Sequence, residues 1–334
     1  MRKTLFIIAG FALSLLLLFF AVRKIDPAAV LAVYSRPKLA EMAVVVAIIL
    51  FTLFMRGLRW KLLLSPCAAA SAMTMMKLET IGMALNNVLP LRLGEIGRAT
   101  IGVSLTGVPF LTLLSTILVE RVLDTITLGV IFAVALKLGA AGKLAAYGHI
   151  VWAMVAAVVV ALAALIFLEE MLERSSALRN FLARMPKADK LARQVAMGAQ
   201  ALRNWKLAAA IIALGIPLWL SDALGYFWAA RIIGLEPALA FGQGMVLLCA
   251  AAVSVALPSM PGYFGAFELA LQQVLVGWGA DPQAAFTYAT FVHLNGYIAI
   301  TLLGIIFLYG AGHSLGGIWK RLSGGNCSNA DAAG

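Results

Sequence analysis

Charge is scarce in this chain. Only 12% of its 334 residues are Asp, Glu, Lys or Arg, against 63% hydrophobic, where a soluble domain has about a quarter charged. That scarcity excludes a water-soluble globule and leaves a polytopic membrane protein, in which the bilayer rather than a soluble core sets the architecture. Cysteine is nearly absent as well. Cys67, Cys249 and Cys327 form no spaced pair, so neither a disulfide framework nor a metal centre is expected. His149, His293 and His313 are scattered and make no ligand motif. No P-loop occurs, and no cofactor is called for. The acids number 15 against 26 Lys and Arg, a net charge of +11. In a membrane protein basic inner loops account for that surplus, and nucleic acid is not expected as a partner.

What is abundant is apolar sequence in lengths that cross a bilayer, about 20 residues each. Such runs occupy 4–22, 41–55 (continuing toward 63), 108–136, 144–168, 207–230, 239–257 and 284–311. The first follows Arg2 and Lys3 like a signal peptide. Its 19 uncharged residues exceed an ordinary signal core, however, and no small-x-small site precedes Arg23, so it reads as a retained span. Placing the N-terminus inside puts 16 basic residues in the inner segments 1–3, 56–77, 169–206 and 312–334, against seven in the outer connections. The bias predicts both termini in the cytoplasm.

Two apolar stretches, 79–105 and 258–280, are interrupted by Pro, Gly and charge. Parity forces 79–105 to enter and leave on one side, which predicts a re-entrant helical hairpin; such breaks survive at membrane depth only when buried in protein or lining a wet cavity. The second stretch repeats the pattern, since Leu257-Pro258 echoes Leu89-Pro90 ahead of Gly-rich backbone and a carboxylate. It is either a second hairpin entering from the opposite face or two ordinary crossings at 239–257 and 262–279. The fold class is therefore an all-α polytopic membrane protein with about 6–8 transmembrane helices, one or two re-entrant hairpins and the outline of an inverted repeat. A single membrane domain spans 1–311, with a first half at 1–168 and a second at 207–311, followed by a short tail at 312–334. Between the halves, 169–206 is basic, and Leu178, Phe181, Leu182 and Met185 keep helical spacing. It should lie on the inner leaflet against anionic headgroups.

The chemistry concentrates in three motifs. In "NNVLPLRLGEIGRA" Arg92, Glu95 and Arg98 recur every three residues on a helix that Pro90 can start. Two arginines around one glutamate make a positive site, and guanidinium binds phosphate bidentately. The alternative is an internal salt bridge closing the hairpin. Asn86 and Asn87 should satisfy backbone at the break, beside Gly94. In "LVERVLDTITL", Glu120, Arg121 and Asp124 must face the bundle interior, with Arg92 or Arg98 as partners. Proton coupling and structural support are both open for them. In "LPSMPGYFGAFELALQQ", Pro258, Pro261, Gly262 and Gly265 shape the backbone and Glu268 adds an intramembrane acid, as a second gate, headgroup contact or proton carrier. Asp222 is a further acid in apolar sequence. Tyr263, His293, Asn295 and Tyr297 each read more simply as interhelical hydrogen bonds than as ligands.

Taken together, "NNVLPLRLGEIGRA", "VERVLD" and "PSMPGYFGAFE" resemble the membrane domain of lysylphosphatidylglycerol synthases and its stand-alone flippase-like relatives, which include hopanoid-associated members. The resemblance covers roughly 80 to 310. It implies movement of a polar-headgroup lipid between leaflets of a bacterial inner membrane, with Arg92, Glu95, Arg98, Glu120, Arg121, Asp124, Gly262, Gly265 and Glu268 as the motif residues. The two-domain synthases append a soluble aminoacyl-transferase domain, which this sequence does not show, so aminoacylation is not implied. Transport is favoured over catalysis. Two alternatives remain: a non-catalytic membrane partner of a lipid-biosynthetic enzyme, and an integral-membrane enzyme acting on a lipid-linked substrate. The identity of the lipid and the oligomeric state are not legible in the residues.

Overall fold

A computed structural model describes residues 2–23, 25–28, 30, 39–167, 170, 174, 185–256 and 260–323. Inside a bilayer the backbone finds no water, so each segment must satisfy its own N–H and C=O groups, and helix is the result. The described residues form twelve α-helices and no strand: α1 (Arg2–Val22), α2 (Leu39–Leu64), α3 (Ala72–Val88), α4 (Gly94–Thr106), α5 (Phe110–Lys137), α6 (Gly148–Ile166), α7 (Pro186–Met197), α8 (Trp205–Ile233), α9 (Phe241–Ala256), α10 (Ala266–Gly277), α11 (Pro282–Gly310) and α12 (Leu315–Ser323).

Four segments among the described residues, Ala40–Leu64, Gly142–Ile166, Trp205–Ile233 and Pro282–Gly310, are long and apolar enough to cross a membrane. Helix α5 has 28 residues, about 42 Å at 1.5 Å per residue, and is set apart from those four by its three central charges. Helix α1 packs into the bundle, with Ser14 and Ala21 buried. The four shorter helices, α3, α4, α9 and α10, form two helical hairpins.

Packing shows where each hairpin enters. Met75 and Leu78 of α3, Ile101 of α4 and Val108 of the next turn share one core with Ala199 and Leu202 of the connection before α8. The Ser115 hydroxyl, early in α5, donates to the Val195 carbonyl at 2.6 Å in the same region. Phe241 at the start of α9 and Trp278 just after α10 instead pack with Ala140 and Ala141, beyond the other end of α5. Both ends of the second hairpin thus lie beside one connection, and its tip at Tyr263 meets Arg92 at the tip of the first hairpin, which decides for a hairpin over two ordinary crossings. The two hairpins enter from opposite ends of α5.

An inverted repeat follows from these pairings. Helices α2 and α8 run antiparallel, with Ile48 beside Gly225, Thr52 bonded to Ser221 at 3.1 Å and Arg59 near Gly215. Helix α3 lies antiparallel along α11, where Gly304 meets Ala84 and Thr80 and Asn87 donates to Thr301 at 2.8 Å. The exchanged pair, α9 along α5, shows the same arrangement: Cys249 sits at the Leu128 carbonyl and Gly242 against Leu138 and Ala140. Swapping α2–α5 for α8–α11 therefore reproduces the packing. A side chain at Gly304 would collide with Ala84 and the Thr80 carbonyl, so the closeness of α3 to α11 depends on glycine there.

The sequence-based boundaries needed two changes. Helix α2 continues to Leu64, so Arg56 and Arg59 are buried intramembrane residues rather than loop charges; removing them leaves the basic bias in the same direction. The tail is not featureless, since α12 buries Ile318 near Gly97 of α4. In the connection between halves, α7 and the exposed Met185 are described, whereas Leu178, Phe181 and Leu182 fall outside the described residues.

Candidate functional site

The two hairpin tips are built alike. Helix α3 stops at Leu89 because Pro90 cannot donate its hydrogen bond, and a short 3-10 turn, Pro90–Arg92, follows. Arg92 has φ of 54°, a left-handed conformation unusual for a side-chain-bearing residue. Asn86 then accepts the Gly94 N–H at 2.8 Å, supplying from across the tip the cap that α4 lacks at its own N-terminus. The second tip repeats this with Pro261–Tyr263, and Tyr263 is left-handed at φ 62°. Gly265, at φ 85°, starts α10 and donates its N–H to the Glu268 carboxylate at 2.7 Å. Met260 donates to the Ser14 hydroxyl of α1 at 2.8 Å. Pro258 lies outside the described residues. The tips touch, with the Arg92 guanidinium 5.4 Å from the centre of the Tyr263 ring, within cation–π range.

Beneath the first tip lies a network of guanidinium and carboxylate groups. Arg98 is buried and pairs with Glu79, with Glu95 at 3.0 Å and with Glu120 at 3.2 Å, while its face rests on the Trp60 ring at 4.7 Å. Arg59 meets Asp124 at 2.6 Å and Glu120 at 3.3 Å. Arg56 meets Asp222 at 3.4 Å and lies 4.6 Å over Trp219, whose Nε1–H donates to Asp124 at 3.0 Å. Arg121 reaches Glu120 at 2.9 Å and Asp124 at 3.5 Å, and approaches Glu95 at 3.9 Å. Interior charges persist only when paired and hydrogen-bonded, and these are.

Counting Arg92, five arginines face five acids: Glu79, Glu95, Glu120, Asp124 and Asp222. The surplus of positive charge read from Arg92, Glu95 and Arg98 alone disappears once Glu79 and Glu120 are seen to hold Arg98. Arg92 itself, expected as a partner of the α5 acids, makes no salt bridge among the described residues. Exposure separates the groups further. The side chains of Arg98 and Glu120 are 2% and 0% exposed, whereas Arg121, Glu95 and Asp222 keep 43%, 31% and 27%.

The more exposed groups face a cavity of about 530 Å³ between the hairpins, within the range of small-molecule sites. Arg92, Glu95, Arg121 and Asp222, with the buried Arg56, Glu79 and Arg98 behind them, form its charged wall. Val45, Ile48 and Ile49 of α2 line another side, and Leu248, Val255 and Ile300 close it. From Val45 to Arg56 the lining helix rises about 16 Å. The cavity is therefore amphipathic, grading along α2 and α8 from Arg56 and Asp222 to Val45 and Ala229.

A second buried cluster lies in the other half. Glu268 and His293 are both buried, and the His293 Nδ1 is 2.6 Å from the Glu268 Oε1. The imidazole stacks on Phe267 at 4.4 Å and tilts against Phe264 at 4.7 Å. His293 borders the cavity beside Tyr297.

The structure thus brings Arg92, Glu95, Arg98, Glu120, Arg121 and Asp124 together, with Asn86, Pro90 and Gly94 shaping the first tip and Pro261, Gly262 and Gly265 the second; Asn87, expected at the break, instead donates across to Thr301 of α11. Glu268 stands apart with His293. Sequence reasoning missed Arg56, Arg59 and Glu79 as members of the network. The available signal was their position: Arg56 and Arg59 are charges within a long apolar helix, and Glu79 within the apolar first arm of the hairpin. Among the described residues no group of acids, histidines and cysteines is arranged to hold a metal ion.

Comparison with known proteins agrees with this architecture. The family model of the lysylphosphatidylglycerol synthase TM region matches residues 7–304. A protein of Methanothermobacter thermautotrophicus described as a UPF0104 membrane protein is 24% identical over 315 residues, covering 89% of this chain and 91% of that one. No solved structure matches.

Proposed function

The chain belongs to the family of the lysylphosphatidylglycerol synthase TM region, and on that premise we propose that it carries a polar-headgroup lipid between the two leaflets of a cytoplasmic membrane. The observation that supports this reading is the amphipathic cavity at the meeting point of the hairpins. A lipid has the same division: a headgroup that needs charged partners and chains that need apolar walls. Arg92 and Arg121 are the headgroup ligands, because Arg92 has no carboxylate partner among the described residues and Arg121 keeps nearly half its surface free. Both donate in the fork geometry that suits phosphate. Glu95, between Arg98 and Arg121, orients Arg121 and can accept from a headgroup hydroxyl or amine. Arg98, Arg59, Glu79 and Glu120 form the rigid floor.

Movement follows the logic of broken-helix transporters, in which one repeat rocks against the other around a midplane site. Carriage rather than chemistry is the role the site fits, since its acids are engaged by arginines or held in the Glu268–His293 pair. The basic bias supports both termini in the cytoplasm, and the basic sequence of 169–206 suits an anionic leaflet.

The reading is tested in liposomes holding purified protein and lipids labelled on the headgroup or chain, with phosphatidylglycerol and phosphatidylethanolamine compared. Wild type should speed transbilayer movement over empty liposomes. Arg92→Ala and Arg121→Ala should each slow it about tenfold or more, the worth of one charge-assisted hydrogen bond. No acceleration by wild type, or full rates in both variants, overturns the reading.

A further inference from the structure

We propose that Glu268 and His293 form a proton-binding site that couples lipid movement to a proton gradient; this inference rests on the transport reading above. Of the four buried acids, Glu79, Glu120 and Asp124 are each held by arginine. Glu268 has no arginine or lysine partner among the described residues. Its partner is an imidazole at 2.6 Å, and imidazole changes charge within the physiological range.

Charge balance gives the pair its capacity. With His293 neutral and Glu268 ionised, an uncompensated negative charge is buried, which is costly. One added proton removes that cost. The Nδ1–H of neutral His293 already donates to Glu268 Oε1, so the added proton is held in a new N–H bond at His293 Nε2. When that N–H bond breaks, the same proton returns to the aqueous phase and the pair is negative again. No other bond forms or breaks.

Geometry ties this proton to the transport site. The second Glu268 oxygen accepts the Gly265 N–H at 2.7 Å, capping α10. An ionised acceptor makes such a bond about twice as strong as a neutral one; Glu268 stays ionised in both states, but an imidazolium against its Oε1 offsets that charge and weakens its hold on the Gly265 N–H, so the proton loosens the second tip. That tip carries Tyr263, against which Arg92 lies. The pair is therefore two contacts away from a headgroup ligand: Gly265 backbone, then Tyr263.

Other titratable and charged groups surround the pair. On the neighbouring tip stands Tyr263, and on its own helix Tyr297 and Asn295. Across the cavity stand Arg56 of α2, Glu79 of α3, Arg92 of the first tip, Glu95 and Arg98 of α4 and Arg121 of α5, and from α8 Asp222 and Tyr226. The described side chains of α1 and the length of α9 present no carboxylate, amine or guanidinium toward it; Cys249 of α9 faces Leu128.

The test uses the full chain in liposomes with an imposed pH difference and no membrane potential. For one proton per lipid, a difference of one unit should bias the leaflet ratio of transported lipid about tenfold, reversing with the sign of the gradient. Glu268→Gln, which can still accept from Gly265, and His293→Gln should lose that bias. Wild-type movement indifferent to the gradient, or bias retained in both variants, overturns the proposal. A second measurement separates it from the transport reading. The chain has only three histidines, and their ¹⁵N signals can be followed in nanodiscs. His313 titrates below the usual imidazole range because of partial burial and then Arg321. The His293 signal, assigned by its loss in His293→Gln, should titrate and should shift in Glu268→Gln. If wild type moves no lipid, transport fails while the proton site is judged on these spectra alone. A His293 signal constant across about pH 5 to 8, the window in which imidazole ordinarily titrates, removes the site.

Discussion

Arg98 shows how a guanidinium can sit inside a membrane protein and still fail to be a ligand. It is 1% exposed, three carboxylates surround it and Trp60 covers its face. Removing one partner of a buried pair leaves the rest uncompensated, at about 3–5 kcal/mol. Arg98→Ala should therefore lower the thermal unfolding temperature in detergent substantially. Arg92→Ala, which vacates an exposed position without a salt bridge, should leave it nearly unchanged. Equal effects would show that the division between floor and ligand is misplaced. The sequence made Arg98 legible as a buried arginine near Glu95 and Glu120. It could not show that Glu79 completes the set, because Glu79 is 19 residues away and is brought close only by the fold of the hairpin. The same holds for Glu268 and His293, which share a hydrogen bond across 25 positions.

Among the helices, what could be read in advance was the location of the breaks. Proline removes a donor and glycine permits the left-handed turn, and both act locally. What could not be read was how far each arm extends, because Arg56 and Arg59 look like the end of a span until their partners on α5 are known. Helix contacts depend on small residues for the same reason: the closeness is a property of pairs. Gly304→Val should push α11 away from Ala84 and Thr80 and strain the Asn87–Thr301 bond, costing about 1–3 kcal/mol as overpacking does. Gly225→Ala is the comparison. Its new methyl would sit 3.7 Å from Ile48, an ordinary contact, and alanine favours helix by about 1 kcal/mol over glycine. Melting curves of the two variants should move in opposite directions; a Gly304→Val protein as stable as wild type would show that α3 and α11 do not need their close contact.

At the scale of the whole molecule, opposed hairpins predict which turns share a compartment. In a background with Cys67, Cys249 and Cys327 replaced, single cysteines at Met73 and Gly107 should react with a membrane-impermeant maleimide from one side. Cysteines at Gly139 and Gly279 should react from the other. Reaction of Met73 and Gly107 from opposite sides would dissolve the first hairpin, and of Gly139 and Gly279 the second. Parity and basic residues were enough to anticipate the first of these. They anticipate the second as well; what no charge count contains is that the second hairpin's tip meets the first at Tyr263 and Arg92.

The approximate two-fold relation between the halves stops at the backbone. All five arginines of the network, Arg56, Arg59, Arg92, Arg98 and Arg121, come from the first half, while the second contributes Asp222, Glu268 and His293. A chain whose halves were alike in charge as well as in shape could insert either way up and present the same machine to each leaflet. This one would not. Turned over, it would offer its guanidinium groups to the opposite monolayer, so dual insertion would yield two different proteins. The division of arginines between halves thus gives the molecule a front and a back that its helices alone do not provide.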